Sequence, residues 1–461
     1  MRTPWSSGVK SKGAPFAEGK ISGLMSASDY LLVKHLLSEL RRWPRSFDQS
    51  VSLQVRQVRR LLQHAEEQVP FYRRAYREAG FSASQFASLE DMRKIPLTSR
   101  EQRQALPEEE LLASSAHRAK LIVKRTSGSS GRPLNVLRSR LELAVCQFVN
   151  WQMHKEIGTR MRDGRVSVAL LRGQVKQRWH RRFGIFPMDW LDVRLPVQEI
   201  VTRLCETKPD ILICPSSTAA WLANGMTPEN RRVFHPRIVL TWGDTISEEM
   251  RNEIREAFQA KVVDFYGSHE TRMIAVQCPE TGLYHLFENM TAVEVLRDGE
   301  PAEEGQEGEV VVTPLWSYAM PIIRYRQGDI VKLGPKPCPC GASVRTLAGI
   351  QGRVLDMIPI PGGGEIHPYN LIRPVVSEMK WVRRFQFVQE SPRALRLLLV
   401  PAERPSNEQV TSAVGALESR LSGQMEIRAE LVEEIPVPPG GKYCPYLSLQ
   451  RQESWRKSKR D

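Results

Sequence analysis

The sequence predicts an α/β protein with a large multi-layer N-terminal domain, which contains parallel-rich sheets, and a small C-terminal α+β lid domain. Three observations support this fold class. The chain has 461 residues, of which 41% are hydrophobic, so it can bury more than one core. Short apolar runs alternate with helix-like stretches between residues 165 and 266. After residue 353 the pattern changes to that of a compact α+β unit.

The individual elements follow in chain order. Apolar residues recur at helical spacing from residue 30 to 80, which predicts helices that are interrupted at Pro70. The runs VSVALL, DILICP, RIVLTW and KVVDFY predict parallel strands, and ligands of such sheets lie beyond the carboxyl ends of the strands. The later runs RRFQFVQE, ALRLLLVPA and AELVEEIP predict the strands of the lid. We expect four parts: a disordered tail over 1–25, a core domain over 26–352, a lid domain over 353–450 and a basic tail over 451–461.

Hydropathy, cysteine count and charge restrict the class of protein. No apolar run approaches about 18 residues, and the first twenty residues lack the apolar segment of a secretory signal, so we expect a cytoplasmic protein. Seven scattered cysteines do not resemble a disulfide framework. The formal net charge of +14 is consistent with nucleic-acid binding, with steering of phosphorylated small molecules, or with an ordinary basic surface.

The stretch RTSGSSGRP, residues 125–133, lies between the apolar run LIV and a helix-like segment. Glycines let the backbone turn closely around a ligand, and successive amides with serine hydroxyls suit phosphate oxygens. The stretch therefore predicts an anion-binding loop. A flexible Ser/Gly linker is the alternative that its composition leaves open. It is not a Walker A loop, because no Gly-Lys-Ser/Thr follows the glycines at the required spacing.

Polar residues follow two of the predicted strands. RIVLTW runs into Gly243 and Asp244, and KVVDFY runs into GSHE, which ends in Glu270. A glycine there lets a flat ring approach the backbone, and a nearby carboxylate can hold a magnesium ion or a hydroxyl. In RYRQGD, Asp329 follows a glycine and can accept both hydroxyls of a ribose, while the arginines can face phosphate. Each pattern alone also fits an ordinary turn or hairpin.

The five segments TSGSSGRP, YGSHE, RYRQGD, GRVLD and GGKY occur in this order. Together they resemble the adenylate-forming superfamily, and within it the branch of phenylacetate-CoA ligases and CapK-like proteins. The leader LLQHAEEQVPFYRRAYREAGF is also similar to the helical entry segment of that branch, and the resemblance extends from about residue 30 to 449. It implies the adenylate-forming enzyme fold.

The resemblance also implies an ATP and magnesium site with specific residues. Glu270 would hold magnesium, and Asp329 would bind the ribose. Arg353 would interact with the ribose and the phosphate. Lys442 would be a catalytic residue at the α-phosphate. The other residues implied to bind the nucleotide are Thr126, Ser127, Gly128, Ser129, Ser130, Gly131, Gly243, Asp244, Asp264, Tyr266, Gly267, Ser268 and Arg326.

The activity implied by this resemblance is ATP-dependent activation of a carboxylic acid as acyl-AMP, followed by transfer to CoA, in an AMP-forming acid-CoA ligase. A second hypothesis is a CapK-like adenylating enzyme of polysaccharide or secondary-metabolite biosynthesis, which transfers the acyl group to an amine or a sugar. A third is a degenerate scaffold that binds nucleotide or polyanion. No specific nucleic acid is expected as a partner, and a homodimer remains open.

Two positions depart from the pattern of the family. Arg132 stands where the family often has lysine, so the positive charge is retained. Leu355 stands where the family usually has a charged hinge residue, and Asp356 follows it. Either the hinge is displaced by one residue, or the rotation of the lid and thioester formation are altered.

A second constellation contains Cys278, His285, Cys338 and Cys340. Three thiolates and one imidazole suit a tetrahedral structural zinc ion, and similar pairs occur in part of the family that the chain resembles. The alternative is three buried cysteines and an unrelated histidine, since Cys-x-Cys is tighter than the usual zinc knuckle.

Overall fold

A twelve-stranded mixed sheet forms the centre of the large domain, in the order β11-β10-β12-β13-β14-β9-β8-β7-β6-β5-β3-β4. The computed structural model describes residues 47–125, 134–171, 186–246, 248–353, 358–362, 365–366, 371, 381–401, 404–435 and 446–448. The strands of this sheet are β3 (Arg165–Ala169), β4 (Met188–Asp192), β5 (Ile211–Pro215), β6 (Ile238–Trp242), β7 (Lys261–Ser268), β8 (Arg272–Gln277), β9 (Tyr284–Leu286), β10 (Thr291–Arg297), β11 (Glu300–Pro301), β12 (Glu307–Pro314), β13 (Tyr325–Leu333) and β14 (Thr346–Arg353).

The sheet changes character at β7. Strands β4, β3, β5, β6 and β7 pair in parallel, whereas β7 and β8 are antiparallel, as are all later pairs in this sheet. The four apolar runs that predicted parallel strands form β3, β5, β6 and β7, so the predicted α/β class is confirmed. The antiparallel half was not foreseen, because its strands lie in hairpins with no helix between them.

Two apolar layers cover the parallel half of the sheet. In β6, Ile238 and Leu240 pack into a cluster with helix α5 (Arg140–Glu156), while Val239 packs into a second cluster with helix α7 (Ser216–Asn224). This alternation follows from the two-residue period of a strand. The other helices of the large domain are α1 (Phe47–Gln68), α2 (Pro70–Glu78), α3 (Arg100–Ala105), α4 (Glu108–Leu111), α6 (Val197–Thr207), α8 (Pro228–Val233) and α9 (Glu248–Phe258).

The N-terminal helices dock onto the sheet through a short extended segment. Helix α2 begins at Pro70, as the sequence predicted, because proline at the first helical position loses no hydrogen bond. Further on, Thr98 donates its amide to the Arg324 carbonyl oxygen (2.9 Å) and accepts from the Arg326 amide (2.9 Å). This exchange ties the start of α3 to the start of β13. The described 3₁₀ turns of this region span Ala83–Gln85, Leu89–Lys94 and Arg118–Lys120.

Three small sheets complete the described part of the structure. Strands β1 (Ile122–Arg125) and β2 (Asn135–Arg138) form an antiparallel pair. Near the C-terminus, the order β19-β18-β17-β20 forms a four-stranded sheet that packs with α10 (Asn407–Arg420) around its own apolar cluster. Its strands are β17 (Val382–Ser391), β18 (Ala394–Pro401), β19 (Glu426–Leu431) and β20 (Tyr446–Leu447), and β15 (Ile358–Pro359) pairs nearby with β16 (Glu365–Ile366). Among the described residues, none of the helices has the length and hydropathy needed to span a bilayer.

Candidate active site

Tyr266 and Asp329 form a buried hydrogen bond at the end of β7, where the tyrosine hydroxyl donates to Asp329 Oδ2 over 2.7 Å. Tyr266 belongs to YGSHE on β7, and Asp329 belongs to RYRQGD on β13. Four steps of strand pairing separate these two strands, which would span about 19 Å in a flat sheet. The sheet therefore curls enough for two of the sequence motifs to meet.

The turn after β7 is tightly constrained. An ideal Cβ atom at Gly267 would lie 1.9 Å from the Arg272 carbonyl oxygen, so only glycine fits. The Ser268 hydroxyl accepts from the Thr271 amide over 3.1 Å and donates to Gln327 Oε1 over 3.3 Å. These contacts hold the turn that carries Glu270 against the strand that carries Asp329.

Glu270 is buried, and Arg100 is its charged partner. Arg100 Nη1 donates to Glu270 Oε1 over 3.1 Å. Arg138, the last residue of β2, donates to the Glu270 carbonyl oxygen. Sequence reasoning missed both arginines, because Arg100 lies 170 residues and Arg138 lies 132 residues from Glu270. The capping box that Ser99 and Gln102 form at the start of α3 is the one local signal nearby, and it predicts a helix start rather than a site.

The predicted phosphate loop lies in the connection between β1 and β2. Its residues Thr126 to Gly131, and Arg132, fall outside the described residues. The two strands that flank them pair up to Arg125 opposite Asn135. Since Arg138 on β2 contacts the Glu270 turn, the strand that leaves this loop is held next to Glu270.

Gly243 and Asp244 lie at the end of β6. Gly243 has a φ of +88°, a backbone conformation that favours glycine. Asp244 Oδ2 accepts from the Ser217 hydroxyl over 2.5 Å and from the Ser217 amide over 3.4 Å. The carboxylate thus lies at the N-terminus of α7, where it satisfies an amide that has no intrahelical partner. The sequence did not indicate this capping role.

Asp264 is enclosed by the protein, and its carboxylate has structural partners. The Thr241 hydroxyl donates to Oδ1 over 2.7 Å, and the Tyr284 hydroxyl donates to Oδ2 over 2.9 Å. Burial raises the pKa of Asp264 to about 6, although these hydrogen bonds and Arg251 oppose the shift. The expectation that Asp264 lines the nucleotide therefore finds no support in its side-chain contacts.

The two arginines of RYRQGD bind carboxylates of neighbouring strands. Arg326 is exposed and makes a bidentate ion pair with Glu309 of β12, with Nε–Oε1 and Nη2–Oε2 distances of 3.1 and 2.5 Å. Arg324 is buried and pairs with Glu294 of β10 over 2.8 Å. Asp329 is buried, whereas Arg326 lies at an exposed position of the same strand. The structure thus gives Arg326 a partner other than the phosphate expected from the sequence.

The remaining candidates are Arg353, Lys442 and the hinge positions Leu355 and Asp356, and of these only the Arg353 backbone is described. Arg353 ends β14, and its Cα pairs with that of Asp329, so the backbone of GRVLD begins beside the acid of RYRQGD. The Arg353 side chain, Leu355, Asp356 and Lys442 lie outside the described residues.

The four cysteine and histidine residues of the second constellation do meet. Their ligand atoms, the three Sγ atoms and one imidazole nitrogen, all lie within 4.8 Å of one another. In a tetrahedral zinc site with Zn–S bonds of about 2.3 Å, ligand atoms are roughly 3.8 Å apart, so this donor set fits zinc. His285 Nε2 lies 3.4 Å from Cys340 Sγ, and Thr281 Oγ1 lies 3.3 Å from Cys338 Sγ. Burial opposes ionisation, but hydrogen bonds from Thr281 and the neighbouring groups outweigh it and lower the pKa of Cys338 to about 7.

The cluster joins parts of the chain that are distant in sequence. Cys278 follows β8, His285 lies on β9, and the two other cysteines lie in the connection between β13 and β14. Cys278 is six residues beyond the start of β8, which is about 20 Å along a strand from the turn that carries Glu270. The cluster is therefore remote from the Glu270 turn.

Comparison with known proteins agrees with this geometry. A family model described as the CapK C-terminal domain matches residues 360–445. A phenylacetate-coenzyme A ligase of Thermus thermophilus is 28% identical over 372 residues, which are 76% of this chain and 80% of that protein. Protein CapK of Staphylococcus aureus is 25% identical over 211 residues, which are 45% of this chain and 46% of that protein.

A solved structure has the same fold. The 2-hydroxyisobutyryl-CoA ligase in the postadenylation state, in complex with R3-HIB-AMP, aligns with a TM-score of 0.72 at 22% identity over 91% of this chain and 93% of that one. The chain therefore shares the fold of adenylate-forming CoA ligases. Within that fold, the chain is similar in sequence to phenylacetate-CoA ligases and to protein CapK, so the resemblance seen in its motifs is confirmed.

Proposed function

We propose that the protein is an AMP-forming acid-CoA ligase. It activates a carboxylic acid with ATP as acyl-AMP and then transfers the acyl group to the thiol of CoA. The hydrogen bond between Tyr266 and Asp329 carries this proposal, because it joins the two motifs that the class uses for the nucleotide. The likeness to phenylacetate-coenzyme A ligases over most of both chains supports the same activity.

The nucleotide would bind at the carboxyl ends of β6 and β7. Asp329 is the candidate for the ribose hydroxyls, and the exposed backbone at Gly243 leaves room for the adenine ring to approach. Residues 126 to 131 are the candidates for the pyrophosphate end, since β2 holds their exit beside the Glu270 turn. Asp244 would support this edge of the sheet through its hydrogen bond to Ser217, rather than contact the nucleotide directly.

Magnesium would be held by Glu270, because carboxylate oxygen is the ligand that this ion prefers. When bound, the ion supplies positive charge to the phosphates. In the structure, the Arg100 guanidinium supplies the positive charge beside Glu270. A bound magnesium ion would therefore have to displace this guanidinium or lie next to it.

The first half-reaction is an in-line displacement. A carboxylate oxygen of the acid attacks the α-phosphorus of ATP, the P–O bond to pyrophosphate breaks, and acyl-AMP forms. The protein contributes mainly by positioning and by charge neutralisation. In the second half-reaction the CoA sulfur attacks the acyl carbon, the thiol proton is lost, and AMP leaves with the electrons of the C–O bond.

We also propose that residues 353–450 act as a mobile lid that presents Lys442 to the α-phosphate in the first half-reaction and withdraws it before the second. The separate apolar cluster of the small sheet supports an independent unit. Leu355 stands in place of a charged hinge residue, so the rotation would proceed at a hinge displaced by one residue or without that charge.

Transfer of the acyl group to an amine or a sugar is the second candidate. The match of residues 360–445 to the CapK C-terminal domain favours it, because the lid is the part that changes position when the acceptor binds. We infer in addition that one structural zinc ion binds to Cys278, His285, Cys338 and Cys340. This ion would crosslink the β8–β9 hairpin and the β13–β14 connection.

One experiment separates these activities. Pyrophosphate release is measured over a panel of carboxylic acids, with and without CoA, and products are identified by mass spectrometry. Acid-dependent release with acyl-CoA as product is the expected result. Release with acyl-AMP as the product that accumulates in the presence of CoA points to another acceptor. Absence of release with every acid, together with salt-sensitive DNA binding, indicates the polyanion-binding scaffold.

A further inference from the structure

Helix α5 and strand β8 both extend from the neighbourhood of the Glu270 turn to the cluster of Cys278, His285, Cys338 and Cys340. The helix begins two residues after Arg138 and ends at Glu156, and its length of 17 residues corresponds to about 25 Å. Strand β8 begins beside the Glu270 turn and leads to Cys278 about 20 Å away. The two elements pack against each other through Val149, Met273 and Val276.

A polar contact lies at each end of the pair that α5 and β8 form. At one end, Arg138 donates to the Glu270 carbonyl oxygen. At the other end, Glu156 Oε2 lies 3.9 Å from His285 Nδ1. The same imidazole has its Nε2 atom 3.4 Å from Cys340 Sγ, within the cluster of four ligand atoms. One ring nitrogen of His285 therefore faces the cluster while the other faces a carboxylate.

We propose that Glu156 is a positioning residue that orients His285 as a metal ligand. This inference rests on the proposed zinc site. Histidine ligands generally donate their second N–H to a carboxylate or carbonyl, which sets the tautomer and the ring orientation. In the proposed zinc-bound form, Glu156 would accept a hydrogen bond from Nδ1–H and leave the Nε2 lone pair for the metal. The 3.9 Å separation is longer than the roughly 2.9 Å of a hydrogen bond, so the two side chains would move together when the metal binds.

The position of Glu156 in its helix is otherwise unfavourable. A carboxylate in the last turn of a helix interacts unfavourably with the helix dipole. Glu156 is the last residue of α5, and its side chain is 30% exposed beside His285. The contact with His285 accounts for this placement, and on metal binding it would connect the end of α5 to the metal cluster.

The test compares the full-length protein with Glu156→Gln and with Glu206→Gln, a control that makes the same change at an exposed position near the end of α6. Zinc affinity is measured by competition with a chromophoric chelator, and the cobalt-substituted proteins are compared by their visible spectra. We expect Glu156→Gln to weaken zinc binding about 10- to 100-fold and to perturb the cobalt spectrum. The metal-free form should keep the wild-type melting temperature, and Glu206→Gln should match wild type throughout.

The possible failures are distinguishable. If wild type binds zinc and Glu156→Gln binds it equally well, the role of Glu156 is overturned and the zinc site stands. If wild type binds no zinc, both fall, while pyrophosphate release still reports on the ligase activity. A lower melting temperature of metal-free Glu156→Gln, with unchanged zinc affinity, would mean that Glu156 only packs. Glu156→Asp, which keeps the charge with a shorter reach, should bind zinc with intermediate affinity, and it replaces Glu156→Gln if that variant does not fold.

Discussion

Arg100 Nη1 and Glu270 Oε1 lie 3.1 Å apart, and their side chains are 16% and 7% exposed. The pair connects the N-terminal helical region to the turn after β7. Glu270 is buried, and this burial changes what a substitution does. Removing one member of a buried ion pair leaves the other charge uncompensated, which destabilises the fold.

Glu270→Gln should therefore abolish magnesium-dependent pyrophosphate release and also lower the melting temperature by a few degrees. The double variant Arg100→Gln/Glu270→Gln should regain part of the lost stability, because the uncompensated guanidinium is gone, but no activity. Calorimetry and a pyrophosphate assay measure the two effects. Glu309→Gln, which breaks the exposed pair with Arg326, is the control and should keep full activity. Unchanged pyrophosphate release in Glu270→Gln would remove this residue from the magnesium site.

Tyr266→Phe should raise the KM for ATP about tenfold or more and leave the KM for the acid unchanged. The hydroxyl donates to Asp329 over 2.7 Å, and a hydrogen bond to a charged group contributes roughly 1.5–3 kcal/mol. Steady-state kinetics with varied ATP measure the effect. Tyr284→Phe removes a similar bond, to Asp264 in the interior, and should lower stability without changing the KM for ATP. Equal KM values in Tyr266→Phe and wild type would contradict the ribose role of Asp329.

Lys442→Ala should slow adenylation by about a hundredfold or more, as removal of one preorganised donor does elsewhere. The variant should still convert a supplied acyl-adenylate and CoA to thioester, because a rotating lid withdraws the lysine before the thiol attacks. Separate assays of the two half-reactions measure this. Equal loss of both would indicate that the lid with Leu355 does not rotate, and normal adenylation would exclude Lys442 from the mechanism.

Cys338→Ser together with Cys340→Ser should remove about one equivalent of zinc per chain and lower the melting temperature, because metal binding stabilises the folded state. Metal analysis of purified protein and calorimetry are the measurements. The control variant Cys205→Ser replaces a cysteine that accepts a hydrogen bond from Asn230 on α8, and it should retain the zinc. Metal-free wild-type protein with the same stability as the double variant would exclude the zinc site.

Asp264 should make the protein less stable as the pH rises from about 4 to about 6. Burial raises its folded pKa from 3.8 to about 6, so in this window the unfolded chain has released a proton that the folded protein still holds. Below 3.8 both states are protonated and the effect vanishes; above about 6 it is constant, at up to roughly 3 kcal/mol. Urea unfolding as a function of pH should show this fall in wild type but not in Asp264→Asn. Identical pH profiles would contradict the raised pKa.

Several features follow from the sequence because they depend on neighbouring residues. The apolar runs of β3, β5, β6 and β7 specify buried strands separated by helices, and such connections impose parallel pairing. Pro70 specifies a helix start. The ordered motifs carry the resemblance to the adenylate-forming class, whereas the close spacing of Cys338 and Cys340 left a zinc site and buried cysteines as alternatives.

Other features were decided by the tertiary structure, because they join residues that are far apart in the chain. The curl of the sheet across four strand pairings brings Tyr266 to Asp329. The docking of Thr98 on β13 brings Arg100 to Glu270. The same geometry buries Asp264 among hydroxyl donors. Local patterns carry no information on such contacts, since sheet order and curvature depend on how all the strands pack together.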